Sequence, residues 1–148
     1  MPTVTSKRDI AAPVEQVFRT IADIENFAEA IPDIVNIEIL SEAKTGVGAR
    51  FRETRVMKGR EAKSVLEVTE YRENDMVRFV SDEGGAVWDS VFETAPDAGG
   101  GAILTLRMEA RPHSIMAHIM TPLIMGMVRK AVEGDMDAVK AWCERRAA

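Results

Sequence analysis

Two charged residues stand where a strand should be apolar. In "ARFRETRVMK", residues 49–58, the two-residue period of a β-strand puts Ala49, Phe51, Glu53, Arg55 and Met57 on one face. Arg50, Arg52, Thr54, Val56 and Lys58 share the other face, which reads as the solvent side. Glu53 and Arg55 therefore turn inward beside Phe51. Inward charges are costly unless paired. The pair points to one of two roles. It could fix the polar end of a ligand, or Glu53 could transfer protons with Arg55 tuning it. A strand-end ion pair, or a bulge that turns both side chains outward, is the purely structural alternative.

The remaining reactive residues carry less. Trp88 and Ser90 share a strand face; the indole offers a large apolar wall whose N–H needs a partner when buried. Ser90 has no histidine near it in sequence and no triad spacing, so it is not read as a nucleophile. His113 and His118 lie five residues apart, whereas helical metal pairs use four with a carboxylate nearby, so no metal site is expected. "GVGARF" has two glycines but neither a third nor a following helix, so no dinucleotide fold and no cofactor is expected. Cys143 is the only cysteine, so no disulfide can form within the chain.

These side chains need elements to hold them. "APVEQVFRTIADIENFAEAIP" reads as two short helices after a first strand at 3–10, with Pro13 opening the first and Asp23 capping the second. From Ile34 the period becomes two. Strands over 34–40, 49–58, 61–71, 76–81, 86–93 and 102–110 are separated by short glycine-bearing or polar breaks, the pattern of antiparallel hairpins. Their inward faces are Leu66 with Ala62 and Ser64, Phe79 with Val77, Trp88 with Ser90 and Phe92, and Leu104, Leu106 and Met108 with Ala110.

After "RPHS" the helical period returns and holds to the C-terminus. "IMAHIMTPLIMGMV", residues 115–128, is almost wholly apolar, but at about 14 residues it falls short of the roughly 20 that a spanning helix needs. Met120, Leu123, Met127, Ala131, Gly134 and Ala138 repeat at three and four and are expected to face the sheet, with Met116 on a semi-independent first piece. Thr121–Pro122 marks the expected break, with Thr121 as a cap and 114–128 serving as lid and wall.

Composition bounds the class. The chain has 148 residues, 46% hydrophobic, and one domain over 1–148 is expected. A net charge of −5 argues against a nucleic-acid partner. "MPTVTSKRDI" has no apolar signal-peptide region, so a cytoplasmic location is expected.

The order strand, two short helices, six strands, long helix resembles the START-like or SRPBCC superfamily. "APVEQVFRTIADIENFAEAIPDI", "GVGARFRETR", "LEVTEYRENDMVRF" and "ILTLRMEA" are similar to its polyketide cyclase/dehydrase and lipid-transport branch. The resemblance implies an α+β helix-grip fold: about seven antiparallel strands curled around the C-terminal helix, with a cavity between them for a small hydrophobic or amphipathic molecule such as a lipid, quinone or polyketide-like compound. The expected lining is Phe51, Glu53, Arg55, Leu66, Phe79, Trp88, Ser90, Phe92, Leu104, Leu106, Met108, Met116, Met120, Leu123 and Met127. The residues weigh toward binding, for transport or sequestration, over catalysis. A cyclase or dehydratase using Glu53 and Arg55 is the alternative reading. A homodimer or a protein partner docking on exposed methionines is the third.

Overall fold

The computed structural model describes residues 2–147. Strand β1 (Thr3–Ile10) leads into two short helices, α1 (Val14–Ala22) and α2 (Ile24–Ala30). Pro13 precedes α1 with a φ of −59°, already the helical value. Asp23 ends α1 and caps α2, its carboxylate accepting the Glu25 backbone N–H at 3.0 Å.

Six more strands follow: β2 (Ile34–Ile39), β3 (Arg50–Met57), β4 (Arg60–Arg72), β5 (Met76–Glu83), β6 (Ala86–Pro96) and β7 (Ala102–Pro112). They form one seven-stranded sheet, ordered β1-β7-β6-β5-β4-β3-β2, with every neighbouring pair antiparallel. Register shifts between Ile34 and Asn36 and between Val68 and Glu70 mark bulges, which bend their strands. The tight β3–β4 and β5–β6 turns hold positive φ at both central residues, Lys58–Gly59 and Gly84–Gly85, the backbone that suits the twist of a two-residue hairpin.

The last element, α3 (Ile115–Ala147), is one helix of 33 residues, roughly 50 Å long. The expected break at Thr121–Pro122 is absent. Thr121 is buried against the body of the protein instead of capping a new helix. Pro122 and His118 are both exposed, so water can reach the His118 carbonyl that the proline leaves without a donor. The start of α3 rests on the β5–β6 turn: His113 N–H donates to the Gly85 carbonyl at 2.7 Å, and a Cβ at Gly85 would stand 2.5 Å from Ser114 Oγ. The far half is clamped to β1, where Arg8 meets Glu133 at 2.9 Å and Asp137 at 2.8 Å.

The core lies between sheet and α3. Val132, Met136, Val139 and Cys143, at spacings of four, three and four, are almost fully buried. Phe27 of α2 and the sheet residues Phe92, Phe79 and Phe51 form an edge-to-face chain with centroid separations of 5.9, 6.2 and 6.0 Å. The outer face carries a polar ladder in which Asp89 pairs with Arg78 and, at 2.9 Å, with Arg111.

Candidate functional site

Sheet and helix do not meet everywhere. Between them lies a cavity of about 320 Å³, at the small end of the roughly 300–1,000 Å³ usual for small-molecule pockets. The sheet supplies Phe51, Leu66, Phe79, Trp88, Phe92, Leu106 and Met108; α3 supplies Ile124, Val128, Ala131 and Val132; Ile21, Ile24 and Phe27 close the side. Period-two alternation puts the sheet residues on one face, and spacings of four and three put the helical ones on one stripe.

The polar groups gather where β3 passes under α3. Arg55 Nε donates to Glu53 Oε1 at 2.5 Å, and Nη1 and Nη2 donate to the two carboxylate oxygens of Asp135, each at 2.9 Å. All three side chains are less than a fifth exposed. Burial works to lower the Arg55 pKa, but the charges and hydrogen bonds of Asp135 and Glu53 outweigh it and hold the guanidinium above its ordinary value. Asp135 goes the other way: burial pushes its carboxyl up, Asp33 adds to the push, and Arg55 only partly offsets them.

Further polar atoms reach the wall from Ser64, Ser81, Ser90 and Glu83. Ser81 Oγ is buried and is without a hydrogen-bond partner among the described residues. The Glu83 carboxylate accepts the Val65 N–H at 2.9 Å, and its backbone carbonyl accepts the Trp88 indole N–H at 3.3 Å.

The sheet part of the expected lining stands at the wall: Phe51, Glu53, Arg55, Leu66, Phe79, Trp88, Ser90, Phe92, Leu106 and Met108. Leu104 does not; it is fully buried in the core beneath α3. The helix part is corrected. Met116, Met120, Leu123 and Met127 are 67%, 44%, 73% and 68% exposed and point away from the sheet. The inward stripe is Ala117, Thr121, Ile124, Val128, Val132 and Met136, and Asp135 lies beside it. That stripe could have been found by projecting the clear phase of residues 132–143 back toward the N-terminus, which also turns Asp135 inward. His118 is exposed, and the His113 ring lies 2.8 Å from Asp82 at the surface.

An antiparallel sheet gripping a long C-terminal helix, with an apolar cavity between them, defines a START-like helix-grip protein. The chain belongs to the family described as polyketide cyclase/dehydrase and lipid transport, which it matches over residues 1–146. Among curated proteins, none matches it in sequence. Solved structures do share its fold. TTHA0849 from Thermus thermophilus is 21% identical, with 99% of this chain and 100% of that one covered and a TM-score of 0.79. A START superfamily protein from Mycobacterium smegmatis is 15% identical, with 97% of each chain covered and a TM-score of 0.79. The di-domain ARO/CYC StfQ from the steffimycin biosynthetic pathway is 12% identical with a TM-score of 0.80; 99% of this chain matches 51% of that one.

Proposed function

We propose that this protein reversibly binds a small hydrophobic or amphipathic molecule in the cavity between sheet and α3, for transport or sequestration. The observation that carries this reading is the cavity itself: largely apolar walls with a charged cluster at Glu53, Arg55 and Asp135. Apolar burial would supply the affinity; roughly 200 Å² covered gives about 5 kcal/mol at 25 cal/mol per Å². Glu53, Arg55, Ser90 and Ser81, whose hydroxyl has no partner among the described residues, would orient the polar end. Native mass spectrometry of the purified protein tests the reading. A recurrent small-molecule adduct supports it; protein that stays empty and takes up no apolar probe overturns it.

A second reading, a cyclase- or dehydratase-type enzyme in the same cavity, is favoured by one observation. Asp135, with its carboxyl pushed up, and Glu53 flank one guanidinium at the wall, an arrangement that could hold and release a proton. The family description and the cyclase among the structural neighbours support this reading. Glu53→Gln separates the two: lost turnover with binding retained favours the enzyme.

Location and association complete the proposal. A cytoplasmic site suits a chain whose single cysteine is a buried free thiol. α3 is long and apolar enough to cross a membrane by length and composition, yet its inward stripe packs on the sheet. Its outward stripe supports an interface with a second copy of the chain.

A further inference from the structure

The charges at the cavity wall are uneven. Four ionisable side chains reach it, Glu53, Arg55, Glu83 and Asp135, so the wall carries three carboxylates and one guanidinium. That guanidinium is already engaged, with Nε on Glu53 and both terminal nitrogens on Asp135. A fourth carboxylate, Asp33, stands near enough to Asp135 to oppose its ionisation.

Each of these carboxylates keeps spare acceptor capacity. An ionised carboxylate offers about four lone-pair sites, and Glu83 gives one to the Val65 N–H while Glu53 gives one to Arg55. A carboxylate or phosphate entering this wall would meet an occupied cation and an excess of like charge. An amine or hydroxyl would meet open acceptors. Ser81 Oγ, buried at the same wall with no partner among the described residues, adds a hydrogen-bonding atom that a guest's polar head would satisfy.

Resting on the reading of the cavity as a ligand site, we propose that its guest is an apolar molecule whose head donates hydrogen bonds. Glu53 and Asp135 around the occupied guanidinium, with Glu83 farther along the same wall, select an amine first and an alcohol or phenol second, and they reject carboxylate and phosphate heads. Recognition is by charge sign at the head and by burial along the tail.

A tail-matched series tests it. Decylamine, decanol and decanoate, each below its micelle concentration, compete with the neutral apolar fluorophore Nile red bound to the full chain. Decylamine is expected to displace the reporter at a concentration at least about tenfold lower than decanoate, which corresponds to about 1.4 kcal/mol, with decanol between them. Glu53→Gln, whose amide oxygen still accepts from Arg55, is expected to narrow the gap. Glu83→Gln, farther from the Arg55 cluster, serves as the second variant should the first fold poorly. Equal or tighter binding of decanoate overturns the head-group inference and leaves the cavity reading intact. So does an order that neither variant changes, or a reporter that none of the three displaces. Failure of the protein to take up Nile red at all overturns the cavity reading itself.

Discussion

Arg55 on β3 and Asp135 on α3 meet as a two-pronged pair, both N···O distances 2.9 Å, across eighty residues of sequence. The pair ties helix to sheet at the charged cluster of the cavity wall. It is also lopsided. Glu53 and Asp135 together stabilise the guanidinium, while Asp135 shares it and is pushed toward its neutral form by burial.

Removing the cation should therefore cost more than removing either carboxylate. Arg55→Met leaves two buried carboxylates facing each other, and a loss of about 3 kcal/mol is expected, at the low end for a broken buried pair because the side chains keep some solvent. A carboxyl whose folded pKa lies above its unfolded value makes the native state bind the extra proton, so stability falls as pH rises through the folded value. The deficit of Arg55→Met is expected to be largest near pH 7.5 and smaller near pH 5. Urea midpoints of variant and parent at the two pH values measure this. A deficit that grows on acidification would show that the carboxylates do not depend on Arg55.

Ser81 invites the opposite experiment. A buried hydroxyl without a partner costs roughly 1–3 kcal/mol, and Ser81 Oγ has none among the described residues. Ser81→Ala should raise the stability of the empty protein by about 1 kcal/mol, a few degrees in Tm for a chain of this size. The same variant should hold a hydroxyl-headed guest more weakly. Thermal unfolding and Nile red displacement by decanol check the two halves; a lowered Tm would mean that the hydroxyl is hydrogen-bonded in solution.

The outer face of the sheet has its own pH signature. The Arg78 hydrogen bond lowers the Asp89 pKa against the opposing effect of burial, and Arg111 adds to the lowering. A carboxyl lowered on folding contributes stability above its unfolded pKa and loses it as pH falls through the folded value. Asp89→Asn should cost about 2 kcal/mol near neutrality, below a fully buried pair because both arginines are about a third exposed. The difference should close as pH drops below the ordinary aspartate range near 4. Chemical unfolding from pH 7 to pH 3 follows it; a gap independent of pH would place the cost in packing.

Sequence alone was most informative about the sheet. Alternation assigns each strand residue to one of two faces, so Phe51, Glu53, Arg55, Trp88 and Phe92 all fall on the inner side, where the structure has them. Leu104 shares that face but lies past the end of the cavity, a distinction that alternation cannot make. The helix was harder. Residues 115–128 are apolar all round, and such a segment has no phase of its own. The repeat of Met120, Leu123 and Met127 at three and four fits an outer face as well as an inner one, and the structure turns it outward. Asp135 was hidden for the same reason, and its partner stands too far away in sequence for any local pattern to join them.

The outward stripe of α3 gives the last prediction. Leu123 and Met127 are exposed while Met136 is fully buried, so the two faces should answer differently to truncation. Leu123→Ala should change stability by no more than about 0.5 kcal/mol, and Met136→Ala should cost about 2–5 kcal/mol. The exposed face is not inert, however. Met116, Met120, Leu123 and Met127 recur at spacings of four, three and four, the seam by which two helices pack, and two-fold pairs are the commonest assemblies. Light scattering should show a concentration-dependent dimer that Leu123→Glu reduces to a monomer, with its unfolding curve matching the parent's at dilutions where the parent is monomeric. A parent protein that stays monomeric at high concentration would remove the second copy as the partner of this face. Loss of folding in Leu123→Glu would instead place that face against the chain's own core.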